Sequence, residues 1–207
     1  MFKRILLITL LAAAAGPAQT VNCLVAVVNG NIITLLDVQV AAEFRLGLAA
    51  AEGTDPRLAA LEALIDRKVV LDMAREARGV DREELDAALA DLRRGLGESA
   101  FASKLAKFGL AEKDLEPYLQ DGLLYERALA LRFSQTIPVS LTEVERQYRD
   151  SYVPEQARLG KEVEPLERIA DRIESAIRDE RRTKQMGDWV RDLRKRADIQ
   201  VRKDCLK

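Results

Sequence analysis

Two residue types decide how much chemistry this chain can do: histidine, which is absent, and cysteine, which occurs twice. Without an imidazole there is no Ser-His or Cys-His nucleophile pair and no histidine general base, and the commonest metal ligand is missing. Cys23 and Cys205 lack the close spacing of a CxxC redox pair or a zinc site. The carboxylate pairs Glu83-Glu84 and Asp179-Glu180 lie in charged, helix-patterned stretches, where nothing in the sequence buries them or separates their pKa values. The stretch VVNGN at 27–31 has neither the glycine spacing nor the lysine of a phosphate loop. These residues assign no catalytic group, metal site or cofactor, and enzyme activity is not expected.

A second kind of chemistry, holding another polypeptide, needs apolar grooves between helices or an open sheet edge. Phe44, Phe101, Phe108, Tyr118 and Leu123 are the candidate groove residues, with Tyr125 beside them. Their helical spacing suits core packing as well.

The 207 residues are 48% hydrophobic and 32% charged with a net charge of -1, which suits one folded domain. Near-neutrality argues against a nucleic-acid surface, because phosphate binding requires clustered excess Lys and Arg. Residues 166–207 carry 13 basic and 9 acidic side chains, a net +4, in the mixed-sign pattern of a solvated helix face.

The opening MFKRILLITLLAAAAGPA has a basic start, an apolar run and small residues before Ala18, the form of a secretory signal cleaved after residue 18. The apolar run is shorter than the roughly 20 residues of a membrane span. The mature chain, 19–207, is therefore expected to be exported, with no stable membrane span. In an oxidising compartment Cys23 and Cys205, which bracket the mature chain, are expected to form a disulfide; two separate free thiols are the alternative.

The elements that must position any binding surface follow from periodicity and caps. Val25, Val27 and Val28, then Asn29-Gly30, then Ile32 and Ile33 form a hairpin signal. A lone hairpin is marginal, and Ile199 and Val201 supply a third strand. Setting Cys23 opposite Cys205 sets Val27 opposite Val201. Thr34 with Asp37 caps a first helix with the stripe Leu36, Val40, Phe44, Leu48. Asp55-Pro56 starts a second helix with Leu58, Leu61, Ile65, Val69 and Met73 on one face, running to Gly79. Asp81 starts a third, ending near Gly97; a fourth ends at Gly109, and a fifth spans about 113–133. Ser140 and Glu143 form a capping box for a helix with Val144 and Tyr148 inward. The stretch 153–165, with two prolines, reads as a linker. The last helix spans about 165–197, and its stripe turns by roughly 140° between Ile177 and Val190. It either kinks near Gly187 or passes from one packing partner to another. The fold class is mostly α, with a small sheet joining the N-terminal hairpin to the C-terminal strand.

The segments VAVVNGNIITLLDV, ALIDRKVVLDMAREARGV with EELDAAL, FGLAEKDLEPYL with LLYERALALRF, VSLTEVERQY and WVRDLRKRADIQV resemble, in that order, the SurA-like N-terminal chaperone domain, the peptide-binding module of periplasmic foldases related to trigger factor. The resemblance covers most of the mature chain. It implies a periplasmic, ATP-independent holdase whose partners are unfolded or outer-membrane polypeptides; a structural adaptor holding one folded partner is the alternative. Relatives commonly carry a parvulin prolyl-isomerase domain where this chain has only 153–165, so isomerase activity is not expected.

Overall fold

The computed structural model describes residues 23–46, 53, 55–74 and 79–206. The signal segment 1–18 and Leu48 of the first stripe lie outside these residues. The elements are β1 (Leu24–Val28), β2 (Asn31–Thr34), α1 (Leu35–Phe44), α2 (Pro56–Met73), α3 (Arg82–Leu96), α4 (Glu98–Phe108), α5 (Glu116–Arg132), α6 (Leu141–Gln147), α7 (Val153–Arg158), α8 (Leu166–Arg196) and β3 (Ile199–Val201). The fold is mostly helical with one small antiparallel sheet.

The hairpin forms where two left-handed residues are cheapest: Asn29 at φ 47° and Gly30 at φ 82° carry the turn. Thr34 and Asp37 then exchange both capping-box hydrogen bonds, so the chain passes from strand to helix without an orphan donor. Asp81 with Glu84 and Ser140 with Glu143 start α3 and α6 in the same way, while Asp55, ahead of Pro56, caps α2 by accepting from the Arg57 N–H alone. The strand order is β2-β1-β3, so the two chain ends meet. The Cys23–Cys205 disulfide closes behind them.

The register differs from expectation by one residue. Ala26 faces Val201 and Val27 faces Gln200. Cys205 lies in a 3-10 turn, Lys203–Leu206, and not in the strand, so the bridge does not impose strand spacing on the residues before it. The 153–165 stretch also departs from the linker reading. Tyr148–Tyr152 form a π-helical turn that joins α6 to α7, so Pro154, the second residue of α7, lies within a continuous helical run and its missing N–H removes one backbone bond beside the π turn. At the ends of the α2 stripe, Leu58 and Met73 are exposed, while Leu61, Ile65 and Val69 are buried.

Three apolar clusters hold the chain. In the first, the sheet packs on α2, α5 and the C-terminal half of α8 through Val25, Val28, Ile33, Leu61, Ile65 and Val190. The second joins α1 to α4 through Val40, Phe44, Phe101, Leu105 and Leu115. The third is an arm in which α6 packs on the N-terminal half of α8 through Val144, Ile169 and Ile173. Helix α8 is continuous and serves two partners, so the stripe turns because the neighbour changes. Arg194 on α8 pairs with Glu62 and Asp66 of α2, and Lys68 of α2 pairs with Asp121 of α5. Glu43 of α1 receives Lys104 and Lys107 of α4 at 2.6 and 2.7 Å, and these ammonium hydrogen bonds hold its carboxyl down to about 2.

Candidate binding surface

Where the arm leaves the body, α5 ends at Arg132 and the chain crosses as an extended segment to α6. Helix α8 runs past this crossing. Between them lies a cleft of about 570 Å³, walled by Arg132, Phe133, Gln135, Thr136, Ile137 and Pro138 on one side and by Gln185, Asp188, Trp189 and Asp192 of α8 on the other. Its floor is an aromatic pair: Phe133 and the chain's single tryptophan, Trp189, meet edge to face at 5.7 Å and 78°. The Arg132 guanidinium lies 5.6 Å from the Phe133 ring centre.

The crossing is held by arginines of α8. Arg178 Nε donates to the Ile137 carbonyl at 3.3 Å, and Arg181 donates to the Pro138 carbonyl at 3.0 Å and to the Glu143 carboxylate. Hydrogen bonds from the Ser140 backbone, then from Arg181, hold the Glu143 carboxyl down to about 2, so this lock stays charged above that pH. These contacts occupy the Ile137 and Pro138 carbonyls, so the residues of the crossing that line the cleft are held in place.

A smaller pocket of about 240 Å³ lies beside β2, lined by Ile32, Asp37, Arg67, Lys68, Tyr118 and Asp121 among others. The Tyr118 hydroxyl donates to Asp37 Oδ1 at 2.6 Å, while Asp37 Oδ2 receives the Thr34 backbone N–H and hydroxyl, each at 2.7 Å. Burial, then Asp37, pushes the Tyr118 phenol up, so it remains a donor. Arg67 is 5% exposed and gives its terminal nitrogens to two backbone carbonyls, Leu46 at 3.1 Å and Tyr118 at 3.3 Å. Burial pulls its pKa down, against the opposing charges of Asp121 and Glu126. Among the described residues it has no carboxylate partner. It ties α1, α2 and α5 together, which is a structural duty.

The predicted groove residues divide. Phe44 and Phe101 are 0% and 1% exposed and pack edge to face at 6.0 Å, so in this conformation they belong to the second cluster and offer no surface. Phe108 packs against the same cluster, with Lys107 5.4 Å from its ring centre. Tyr118 lines the smaller pocket and Leu123 is half-buried on α5. None of the five lines the larger cleft. Its aromatics, Phe133 at the C-terminal cap of α5 and Trp189 within the C-terminal half of α8, also pack against the first cluster. The stripe turn in α8 was the signal that marked this place.

Among the described residues no His, Cys, Asp and Glu group is arranged to hold a metal ion, and no helix is long and apolar enough to cross a membrane. No protein-family model and no curated protein matches the chain.

Proposed function

We propose that this chain is an exported, ATP-independent chaperone of the SurA-like kind, acting as a holdase in the periplasm without a parvulin domain. The single observation that carries the reading is the cleft at the joint of arm and body, whose aromatic floor and mixed rim suit apolar segments of unfolded polypeptides. Its walls come from the crossing segment and the facing surface of α8, and the arginine contacts that hold the crossing keep the apolar floor open to clients of different sequence. The resemblance of the chain to SurA-like domains supports the same activity class. The periplasmic location rests on the signal-like first 18 residues and on the paired cysteines.

The test is suppression of aggregation. Unrelated denatured proteins diluted into buffer are expected to stay in solution when the oxidised mature chain is present at near-stoichiometric amounts. Ile137→Asp places a charge in the cleft wall while leaving the carbonyl that Arg178 holds. Partial burial of an isoleucine contributes about 1 kcal/mol, roughly fivefold in affinity, so about five times more of this variant should be needed. Suppression unaffected by Ile137→Asp would remove the cleft from the account. A chain that protects no unfolded protein but binds one folded partner would be an adaptor.

A further inference from the structure

The outer edge of β3 is built to receive another strand. β3 is terminal in the sheet order. The Asn29 N–H donates to the Asp198 carbonyl at 2.8 Å and the Arg202 N–H donates to the Val25 carbonyl at 2.7 Å, which fixes the groups that face β1. Strand alternation then sends the N–H and C=O of Ile199 and of Val201 outward, where no strand among the described residues pairs with them. Sheet edges left in this state template pairing with another chain, and proteins blunt them with short strands, charge, bulges or proline. β3 is three residues long and flanked by Asp198 and Arg202, so it suits only a short segment matched to those charges. Here Val201 is 38% exposed, and Asp198, Gln200 and Arg202 are exposed. The edge is also rigid. Helix α8 leads into it, the Asn29 side chain accepts from the Asp198 N–H at 2.8 Å, and the Cys23–Cys205 bridge anchors the chain just beyond it.

Charge sets the kind of occupant. Asp198 and Arg202 stand two residues either side of Gln200, on its face of the strand. Among the described residues neither makes an ion pair; the Asp198 carboxylate accepts only from the Gln200 amide, at 3.5 Å. An antiparallel strand centred opposite Gln200 would place one residue against Arg202 and, four residues on, another against Asp198, with the residues opposite Val201 and Ile199 between them. We propose that the β3 edge binds, antiparallel, an extended segment of another polypeptide that reads acidic, apolar, any, apolar, basic. Such a segment lies within the client class of the chaperone reading, on which the inference rests for where its ligand comes from. A second copy of this chain also carries the pattern, as DIQVR at 198–202. A three-residue pairing of two folded bodies, however, falls far short of the roughly 1,200 Å² that stable interfaces bury. A flexible segment can bind weakly and extend past the edge.

The test uses the oxidised mature chain and a labelled decapeptide centred on Glu-Val-Thr-Val-Lys, with Lys-Val-Thr-Val-Glu as its charge-swapped partner. The first peptide is expected to bind roughly tenfold more tightly, since two cross-strand pairs change from attraction to repulsion. In amide NMR spectra the Ile199 and Val201 signals should shift while that of Leu159 stays still. Val201→Pro removes one outward N–H and leaves the β1-facing groups of Gln200 and Arg202 intact, so it should abolish binding with little change in melting temperature. Should that variant lose its sheet, Asp198→Arg with Arg202→Asp provides the second reading, an inverted preference between the two peptides. Equal binding of both peptides, binding that survives Val201→Pro in an intact sheet, or a wild-type dimer that Val201→Pro dissolves would each overturn the proposal. Protection of clients lacking the pattern should survive Val201→Pro. If the wild type shows no such protection while the peptide preference remains, the holdase reading fails and the edge proposal stands.

Discussion

Reduction of the Cys23–Cys205 bridge, or its removal as Cys23→Ser with Cys205→Ser, is expected to lower stability by up to about 5 kcal/mol. The bridge spans 182 residues, and in the chain-entropy model a loop of that length restricts the unfolded ensemble by about this amount. Domains are stable by only about 5–15 kcal/mol, so the loss is a large share of the whole. It falls first on the sheet. β3 contributes three residues, and without the bridge it is held by its short ladder to β1, the Asn29–Asp198 hydrogen bonds, the packing of Ile199 and the 3-10 turn around Leu206. Thermal unfolding with and without reductant should differ by up to roughly 10–20 °C. Amide exchange at Gln200 and Arg202 should accelerate before exchange in α2. Identical melting curves would mean that the closing of the chain's ends adds nothing to the fold.

Phe101→Ala should cost about 3–5 kcal/mol, the usual range for emptying a buried aromatic site. Phe101 is enclosed by Phe44, Val40, Leu105 and Leu115, drawn from α1, α4 and the turn before α5, so the void cannot close without moving several elements. The same substitution decides whether Phe101 belongs to the core or to a client surface. Calorimetry should show a melting temperature lower by roughly 10 °C. Client protection per folded molecule, measured well below that temperature, should be unchanged. A variant that melts like the wild type but fails to protect clients would return Phe101 to the binding surface.

Local chemistry was legible wherever it is local. Thr34 with Asp37, Asp55 with Pro56, Asp81, and Ser140 with Glu143 each mark a helix start, because a cap needs only residues within one turn of each other. Asn29-Gly30 marks the hairpin for the same reason. The pairing of Cys23 with Cys205 and the return of Ile199–Val201 to the first strand could be read because few other residues could satisfy either. The single-residue shift in register could not, since it depends on the 3-10 turn that holds Cys205. The π-helical turn and α7 were hidden by prolines that serve equally well in linkers and in first helical turns.

The candidate site was less legible, because exposure depends on long-range packing. Phe44 and Phe133 look alike as stripe residues, yet one is enclosed by α4 and the other stands at an open joint. Arg67 lies in the short charged run Asp66-Arg67-Lys68, which does not show which of its members is buried; Arg67 is, and carbonyls of two neighbouring segments converge on it. The stripe turn between Ile177 and Val190 was the one long-range signal available, and it coincides with the change of partner that opens the cleft.

The most direct test of the account is site-specific photocrosslinking from the cleft. A photoreactive residue replaces Gln185, which lines the cleft and is exposed, and in a control chain it replaces the exposed Asp86 of α3. Each chain is illuminated with several unrelated polypeptides, unfolded and folded. The account predicts that position 185 captures every unfolded polypeptide and no folded one, while position 86 captures none. Capture of a single folded partner, or equal capture from both positions, would contradict it.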